Sequence, residues 1–309
     1  MDRAAPQSGF DVVTGAFGFT GRFIARRLIA LGRPVKTLTN HPQRPGTEDI
    51  KVEVAPLLFD DRAALVESLR GADVLYNTYW VRFRHGRVNF GQAIANTRTL
   101  LGAAREAGVG RVVHISVSNP SHDSPLDYYA GKARTEDAVR QSGLRWAIVR
   151  PTLIFGTGDI LINNIAWLLR RMPFFAVAGR GEYSVQPVSG DDVAEIATWA
   201  AGQVDDITVD AAGPDVMTYL ELVEGVAIAM ERRPRWLFIS PRTTIRLGNI
   251  VGRLVNDVLL NDQELKGLMS ELLVSHDRPR GTRRLEDWLL SSAETLGAGY
   301  ASELDRHWR

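Results

Sequence analysis

The sequence contains no cysteine among its 309 residues. Disulfide bonds, thiol nucleophiles and thiolate metal ligands are therefore all excluded. The six histidines include no pair spaced three or four residues apart, so the helical spacing of a histidine metal site is missing. Acidic and basic residues nearly cancel, at 36 against 37, which argues against a dedicated nucleic-acid surface. We expect neither a bound metal nor a nucleic-acid partner.

Long apolar runs are also absent from the sequence. No apolar core of a signal peptide follows Asp2 and Arg3. The most apolar windows, Ile160–Leu169 and Met172–Gly179, are shorter than the roughly 18–20 residues that a bilayer span needs. We therefore predict a cytoplasmic protein without an integral membrane segment.

Lysine is scarce, because the basic residues are almost all arginine. A GC-rich genome is sufficient to explain this bias. The lysines are Lys36, Lys51, Lys132 and Lys266. Lys132 deserves separate treatment because it belongs to a spaced pair with a tyrosine.

The first half of the sequence alternates short apolar segments with helical ones. Strands are predicted at Phe10–Thr14, Val35–Thr39, Lys51–Ala55, Val74–Tyr76, Arg111–Ser116 and Trp146–Arg150. Helices are predicted at Phe19–Leu31, Arg62–Arg70, Phe90–Ala107 and Tyr128–Ser142. This alternation indicates right-handed βαβ units and a parallel sheet. After Pro151 the chain becomes rich in loops and then mostly helical, so we predict a doubly wound α/β fold with a smaller, mostly helical C-terminal lobe.

A glycine-rich turn joins the first strand to the first helix. Because glycine has no side chain, its backbone can approach a pyrophosphate closely, and the following helix offers free N–H groups and a partial positive charge. The position between strand and helix is the one that a dinucleotide site requires, although an ordinary tight turn is the alternative. The predicted cofactor contacts in this turn are Thr14, Gly15, Phe17, Gly18, Phe19 and Gly21.

The residues after the second strand bear on the choice between NAD and NADP. An acidic residue there suits the ribose of NAD, whereas an arginine suits the 2′-phosphate of NADP. This sequence has Thr39 and Asn40, with His41 and Arg44 further on, and none of them is acidic. We therefore predict NADP or NAD as the cofactor, with a slight preference for NADP, and Asn40 as a contact.

A tyrosine and a lysine at helical spacing form the main catalytic candidate. Tyr128 and Lys132 are four residues apart, which places both on one helix face. A lysine ammonium lowers the pKa of a nearby phenol, and such a tyrosine can exchange a proton with a substrate oxygen. Ser116 ends the fifth strand and Ser118 lies two residues beyond it, and either hydroxyl can polarise a substrate carbonyl. A buried tyrosine beside a solvated lysine, and serines that only form a turn, are the alternatives.

Together these motifs resemble the short-chain dehydrogenase/reductase superfamily, in its extended or atypical branch. Residues 150–156 (RPTLIFG) are similar to the RPxxVYG stretch of that family, and residues 188–194 (VSGDDVA) to the segment that returns to its Rossmann domain. Residues 155–159 (FGTGD), followed by Asn163 and Asn164, are similar to sequences related to the Rossmann-fold accessory subunit of respiratory complex I. Such sequences are often labelled NAD-dependent epimerase/dehydratase family proteins.

The resemblance implies a domain division and further site residues. Residues 1–155, with 184–213 returning to them, would form the NAD(P)-binding Rossmann domain, and residues 156–183 and 214–309 the substrate lobe. Asn96 would support the catalytic tyrosine, lysine and serine. The other implied cofactor contacts are Asn77, Thr78, Tyr79, Ser116, Lys132, Pro151 and Ile154.

The sequence departs from the family at two strand ends. Where the family often has an acidic adenine contact, this chain has apolar residues, so we expect apolar adenine contacts from Leu58 and Phe59. The fourth strand ends in the bulky pair Tyr79 and Trp80 where small residues are common. These two rings either line or shorten the substrate pocket, or pack locally.

A basic cluster and two apolar stripes each allow more than one interpretation. Arg82, Arg84, His85 and Arg87 form a basic cluster that suits a solvated face or an anionic ligand. The tail segments Gln263–Leu273 and Leu285–Leu296 have helical apolar stripes, which indicate packing in the substrate lobe or a face for a partner or membrane surface.

The sequence thus predicts an NAD(P)-dependent oxidoreductase or epimerase. Hydride would move at an oxygen-bearing carbon of a small-molecule substrate, a nucleotide-sugar or another carbonyl compound. Tyr128 would be the general acid/base, Lys132 would hold the ribose, and Ser118 would orient the substrate oxygen. A homodimer is compatible with the family. The alternative is a nucleotide-binding protein without turnover that serves as a redox-sensing regulator or assembly subunit.

Overall fold

The computed structural model describes residues 9–41, 44, 46–83 and 89–307. The strands are β1 (Phe10–Thr14), β2 (Val35–Leu38), β3 (Glu53–Ala55), β4 (Ala72–Asn77), β5 (Arg111–Ile115), β6 (Arg145–Pro151), β7 (Leu153–Phe155), β8 (Phe174–Ala178), β9 (Ser184–Val185), β10 (Pro187–Ser189), β11 (Ile207–Ala211), β12 (Met217–Thr218) and β13 (Arg235–Ile239). The helices are α1 (Phe19–Ala30), α2 (Arg62–Leu69), α3 (Phe90–Glu106), α4 (Asp127–Arg140), α5 (Leu161–Arg171), α6 (Gly190–Ala201), α7 (Tyr219–Ala229), α8 (Pro241–Val255), α9 (Asp262–Met269), α10 (Leu285–Ser292) and α11 (Glu303–His307).

The first of two compact units runs to Pro151 and includes Val193–Ala211. Its sheet has the strand order β11-β6-β5-β4-β1-β2-β3, and every neighbouring pair is parallel. The chain starts at β1, moves outward to β3, and returns to β4 on the other side of β1. Ligands of such sheets bind beyond the carboxyl ends of the strands where this direction reverses. The predicted doubly wound parallel sheet is confirmed.

The central strands of this sheet are apolar on both faces because helices cover both. Val12, Leu75, Val112 and Ile148 are fully buried in one cluster, together with Leu100 from α3. Each predicted strand and helix of this unit overlaps its observed counterpart, with ends that differ by up to two residues. The apolar patterns therefore identify the elements that place the site.

The second compact unit comprises Thr152–Asp192 and Ala212–Arg309. Its strands form three short pairs, β7 with β10, β9 with β12, and β8 with β13, while its core lies among helices. The two tail segments with apolar stripes form α9 and α10, whose leucines, such as Leu268 and Leu289, are buried in this core. The strands β7, β8, β9, β10 and β12 were not expected from the sequence, and four of them have only two or three residues.

The compact units and the predicted domains divide the chain at different residues. The first unit ends at Pro151, not at residue 155, and the returning segment begins at Val193 instead of residue 184. The short pair of β7 and β10 belongs to the second unit and explains the difference, since each strand's hydrogen-bonding partner lies there.

A buried ion pair holds the amino-terminal ends of β1 and β4. Arg33 donates hydrogen bonds to both oxygens of Asp11, at 2.9 and 3.1 Å, and to Asp73 at 2.6 Å. Asp11 is only 2% exposed, so its charge depends on this partner.

We expect Arg33→Met to lower the free energy of unfolding by about 3–5 kcal/mol, because it leaves the Asp11 carboxylate buried without its cation. Urea unfolding followed by circular dichroism measures the change. Arg26→Met is the matched control, since Arg26 makes the same two-oxygen contact with Asp49 at an exposed position. The control should cost at most about 1 kcal/mol. Equal losses in the two variants would contradict the assigned role of burial.

Candidate functional site

The glycine-rich turn lies at the carboxyl end of β1 and is folded tightly against α1. Gly15 has a φ of +67°, a conformation that favours glycine. Gly18 donates its backbone N–H to the Gly15 carbonyl at 2.8 Å. A Cβ atom on Gly21 would lie 2.1 Å from the Gly15 carbonyl oxygen, closer than any real contact. The spacing of these glycines thus lets the helix begin directly on the backbone of the turn.

The amino-terminal end of α1 suits an anion. Gly18 is the N-cap and provides no side-chain acceptor, and the first turn contains no acidic residue. The first N–H groups of the helix are therefore free of side-chain competition for a phosphate oxygen. Arg22 is buried in this first turn and donates to the Gly18 carbonyl at 3.2 Å, which adds positive charge. Phe17 is buried, and Phe19 packs edge-on against Phe23.

The hydroxyl of Thr14 ties the ends of β1 and β4 together. Its Oγ1 accepts the backbone N–H groups of Thr78, at 2.8 Å, and Tyr79, at 3.1 Å. Thr78 returns a hydrogen bond from its own hydroxyl to the Thr14 carbonyl at 2.5 Å. Asn77 is fully buried and donates to Nδ1 of His114 at 3.1 Å. These polar side chains shape the sheet edge that a nucleotide would meet.

His114 is a core residue with a hydrogen bond at only one of its two ring nitrogens in the described part of the chain. Burial lowers the pKa of His114 to about 3, so the imidazole is neutral. Its Nδ1 accepts from Asn77, which places the ring proton on Nε2. In the part of the chain that the structure describes, Nε2 has no hydrogen-bond partner.

The residues after β2 differ from the expectation for the ribose. The amide of Asn40 donates to the Leu57 carbonyl at 2.8 Å and accepts the Leu57 N–H at 2.9 Å. Asn40 therefore holds the ends of β2 and β3 together and has little left for a ligand. Arg44 is half-buried, and no carboxylate pairs with its guanidinium among the residues described. Burial lowers the pKa of that guanidinium from its usual value.

The apolar residues after β3 and the helix asparagine meet through Tyr79. Phe59 packs against Tyr79 with ring centres 4.8 Å apart, and Leu58 beside it is 40% exposed. The amide of Asn96 donates to the Tyr79 hydroxyl at 2.8 Å and accepts from Gln92 at 2.8 Å. Both polar atoms of the Asn96 amide are thus bonded to residues other than Tyr128, Lys132 and Ser118, unlike the role that the resemblance implies.

Tyr128, Lys132 and Glu136 follow one another at four-residue spacing along α4. Lys132 is 3% exposed, and its ammonium donates to the Ile115 carbonyl at 2.9 Å. Burial lowers the pKa of Lys132 to about 7, and the negative charge of Glu136 opposes that shift. The α4 face therefore carries a buried ammonium that titrates near neutral pH.

Glu136 was not expected from the sequence as part of this site. It is 1% exposed and accepts hydrogen bonds from Ser116 at 2.6 Å, from Arg150 at 2.6 and 2.8 Å, and from Arg140 at 2.8 Å. Although burial raises it, these donors hold the pKa of the Glu136 carboxyl below its usual range. Ser116 is thereby engaged with Glu136, and Arg150 of the RPTLIFG stretch acts in this charge cluster.

Trp80 covers the buried lysine. The Lys132 ammonium lies 4.9 Å from the centre of its ring, a cation–π distance. The indole also stacks on Phe90 at 5.7 Å and meets the edge of Tyr128 at 6.0 Å. A Cβ atom on Gly131 would lie 2.9 Å from the indole, so the glycine gives the ring room on α4. The Trp80 ring, whose role the sequence did not decide, thus packs over the Tyr128–Lys132 pair.

The remaining candidate residues fall in different parts of the chain. Ser118 is fully buried, and its N–H donates to the Pro151 carbonyl at 2.9 Å at the end of β6. Ile154 lies on β7, in the second unit. Of the basic cluster, Arg84, His85 and Arg87 lie outside the described residues.

Neither a metal site nor a membrane span is found within residues 9–41, 44, 46–83 and 89–307. Within those ranges no group of three or more histidine or acidic side chains could hold a metal ion. The helices described there include none with the length and apolar character of a membrane span.

A family model matches the part of the chain that contains the candidate site. Residues 15–159, which contain the turn, the sheet edge and α4, match the family described as NAD(P)H-binding. The match covers a little under half of the chain and lies in the first compact unit and the start of the second. The predicted resemblance is confirmed as similarity to an NAD(P)H-binding family over these residues, and reductases are among the curated relatives.

Two curated relatives show the range of proteins that resemble this chain. It is 28% identical over 239 residues to subunit 9 of the NADH dehydrogenase (ubiquinone) 1 alpha subcomplex of Arabidopsis thaliana, covering 73% of this chain and 59% of the relative. It is 28% identical over 254 residues to ceramide reductase of Caulobacter vibrioides, covering 80% and 79%. Uncharacterised proteins of Mycobacterium tuberculosis and Mycobacterium bovis are 29% identical, but the aligned part is only 23% of their length.

Solved structures share the fold at low identity. An NADPH-dependent quinone oxidoreductase from Escherichia coli, complexed with NADPH, has a TM-score of 0.71 at 18% identity, covering 92% of this chain and 99% of that one. The protein MoeE5 in complex with UDP-glucose and NAD has a TM-score of 0.68 at 20% identity, covering 93% and 98%. These likenesses support the fold.

The buried lysine should make stability depend on pH. The pKa of Lys132 is about 7 in the folded chain against an ordinary 10.5, so the unfolded chain binds more protons between these values. The stability of the native protein should therefore rise with pH across this window relative to a Lys132→Met variant, by on the order of 3 kcal/mol. Urea unfolding of both proteins at several pH values measures the difference.

Lys266→Met is the control for this pH dependence. Lys266 is exposed and pairs with Asp262 at 2.6 Å, so its removal should leave the slope between pH 7 and 10.5 unchanged. A native protein whose stability stays parallel to that of Lys132→Met over this range would show that the lysine is not desolvated.

Proposed function

We propose that this protein is an NAD(P)H-dependent reductase or epimerase of the extended short-chain type. It would transfer hydride at an oxygen-bearing carbon, with Tyr128 as the general acid/base. The observation that carries the proposal is the Tyr128–Lys132 pair on α4, within the residues that match the NAD(P)H-binding family. Reductases among the relatives and NADPH-dependent enzymes among the structural neighbours support it.

The residues present fit a dinucleotide. Side chains at Gly15 and Gly21 would strain or block the turn, and the uncapped start of α1 offers N–H donors for a pyrophosphate. The nicotinamide, when bound, supplies or accepts the hydride. Tyr128 would hold the proton at the substrate oxygen, and the charged form of Lys132 would stabilise its phenolate. Ser118 would orient the same oxygen from the end of β5.

Tyr128→Phe should lower kcat about 10²–10⁴-fold on a carbonyl compound that the native protein reduces, because it removes the proton donor. The dissociation constant of the cofactor, measured by fluorescence titration, should change little. Tyr129→Phe is the matched control, since Tyr129 is the adjacent tyrosine and is buried. Full turnover by the Tyr128→Phe variant would remove Tyr128 from the proposed chemistry.

We further propose NADP as the preferred cofactor, with Arg44 as the partner of the 2′-phosphate. Arg44 follows β2, where an arginine suits that phosphate, and the structure gives its guanidinium no anionic partner among the described residues. Asn40, by contrast, is bonded to Leu57.

Arg44→Ala should weaken NADPH binding about 10–100-fold, the loss expected for a charge-assisted hydrogen bond, and leave NADH binding unchanged. Separate titrations with NADH and NADPH measure both constants. Arg70→Ala is the control, because Arg70 is exposed and pairs with Glu67. If Arg44→Ala weakens both cofactors alike, the residue does not read the phosphate.

A small carbonyl compound is the proposed substrate class, with a nucleotide-sugar as the family default. The names of the relatives point to different compounds, so a substrate screen with the preferred cofactor is the direct route. The cytoplasmic location and the homodimer stay predictions from the sequence.

A second candidate function is nucleotide binding without turnover, in a redox-sensing or assembly role. The specific observation in its favour is the state of Lys132, which bonds to the Ile115 carbonyl beneath Trp80. Tight NAD(P)H binding with no oxidation of the cofactor by any carbonyl compound would favour this reading.

A further inference from the structure

Helix α8 buries two glycines and exposes three of its large apolar residues. Gly248 and Gly252 are the buried residues of the helix. A Cβ atom on Gly252 would lie 2.6 Å from the Asp257 carbonyl oxygen, and one on Gly248 would lie 3.8 Å from Leu260. Gly252 therefore allows the close approach of the Asp257 backbone, whereas a Cβ atom on Gly248 would make only an ordinary contact. This arrangement reverses the usual pattern, in which a helix buries its large apolar side chains.

The outward face of α8 carries an apolar stripe. Leu247, Ile250 and Leu254 follow helical spacing and are 43%, 52% and 82% exposed. The strand just before the helix, β13, exposes Leu237 and Phe238 as well. A single exposed leucine needs no explanation, but an aligned stripe on one helix indicates an interaction face.

A row of arginines runs beside this stripe. Arg242, Arg246 and Arg253 are exposed, and none of them forms an ion pair with a residue in the described part of the chain. The helix contains no acidic residue. The acids that follow it already have partners: Asp257 accepts from Tyr300 and Asp262 pairs with Lys266. The arginines thus leave a local positive charge that no ion pair neutralises within residues 9–41, 44, 46–83 and 89–307.

A cavity of about 690 Å³ opens at the amino-terminal end of the same helix. Arg242 and Arg246 line it together with apolar residues, among them Ile245 and Leu265, and with the ion pair of Asp262 and Lys266. The arginines therefore stand between an apolar stripe and a partly apolar hollow. Their stems can cover apolar surface while their charged heads reach anionic groups.

We propose that α8 docks this protein onto the surface of an anionic phospholipid bilayer. The helix would lie in the plane of the interface, with Leu247, Ile250 and Leu254 among the acyl chains and the three arginines at the headgroup phosphates. An apolar stripe with a cationic flank and no acidic residue is the pattern of helices that lie at membrane interfaces. The proposal concerns the membrane surface only and is independent of the catalytic role of Tyr128.

The charge of α8 favours a membrane over a second copy of this chain. Two copies of the helix placed face to face would bring three unpaired arginines of each copy together, and such like charges repel. An anionic bilayer instead offers negative charge and apolar depth along the whole length of the helix, which matches both features at once.

Co-sedimentation of the full chain with lipid vesicles tests the proposal. The protein should bind vesicles that contain phosphatidylglycerol, bind pure phosphatidylcholine vesicles much more weakly, and lose binding as salt rises. The double variant Ile250→Glu/Leu254→Glu should reduce binding about tenfold or more by removing the inserted surface. Arg246→Gln and Arg253→Gln should each reduce it about fivefold.

The control is Ile228→Glu/Leu290→Glu, which alters two side chains that are 72% and 61% exposed on other helices. Circular dichroism shows whether each variant is folded, and this control should bind like the native protein. Absence of vesicle binding, or native binding by folded Ile250→Glu/Leu254→Glu, would overturn the proposal. The native chain could instead fail to bind vesicles and form a dimer that Ile250→Glu/Leu254→Glu dissociates. That result would identify the stripe as an interface between copies.

Discussion

The candidate site depends on the coincidence of two strand ends, those of β1 and β4, at the point where the sheet changes direction. One hydroxyl fixes this coincidence, because Thr14 accepts the N–H groups of Thr78 and Tyr79. The turn that starts α1 leaves from one strand, and the ring of Trp80 leaves from the other. If the ends of β1 and β4 were not joined, the glycine-rich turn and the Trp80 ring over α4 would no longer be held in fixed positions relative to each other. The two hydrogen bonds that Thr14 accepts therefore constrain both parts of the candidate site.

The second constraint is the burial of charge along α4. A buried ammonium or carboxylate costs several kcal/mol unless hydrogen bonds and opposite charges offset the loss of water. Glu136 is offset by Ser116, Arg140 and Arg150, whereas Lys132 has one carbonyl and the face of Trp80. The carboxylate is consequently held in its charged form, while the ammonium is close to losing its proton at neutral pH. A group that titrates near the working pH is suited to proton chemistry, and unequal compensation within one helix is its physical origin here.

Local patterns predicted the fold well because they record burial along short segments. The apolar run of β1, the glycine spacing and the Tyr128–Lys132 spacing all lie within a few residues, and the structure has each in its expected element. What the sequence could not show were partners distant along the chain. Asn40 bonds to Leu57 and Asn96 bonds to Tyr79, so these two amides form structural hydrogen bonds that no local sequence motif indicates.

The sequence also could not predict which face of a helix is buried. The apolar stripes of α9 and α10 were visible and turned out to be packed inside the second unit. The stripe of α8 has the same spacing, yet it faces outward because Gly248 and Gly252 occupy the inner side. Periodicity gives the relative positions of side chains on a helix and cannot say which side meets the core. Here Gly252 indicates the inner side of the helix, since a Cβ atom at that position would collide with the Asp257 carbonyl oxygen.

The cover over Lys132 bears on whether such a site can work as an enzyme. Freeing the ammonium from Trp80 and the Ile115 carbonyl would forgo a cation–π contact of about 0.5–2 kcal/mol and a hydrogen bond to a charged group of about 1.5–3 kcal/mol. A ligand of micromolar affinity binds with about 8 kcal/mol, and its ribose hydroxyls would replace part of the lost bonding. The contacts that hold Lys132 beneath Trp80 therefore contribute less free energy than the binding of such a ligand would provide. Lys132 beneath Trp80 is compatible with turnover, and the distinction between enzyme and sensor lies with the proton of Tyr128.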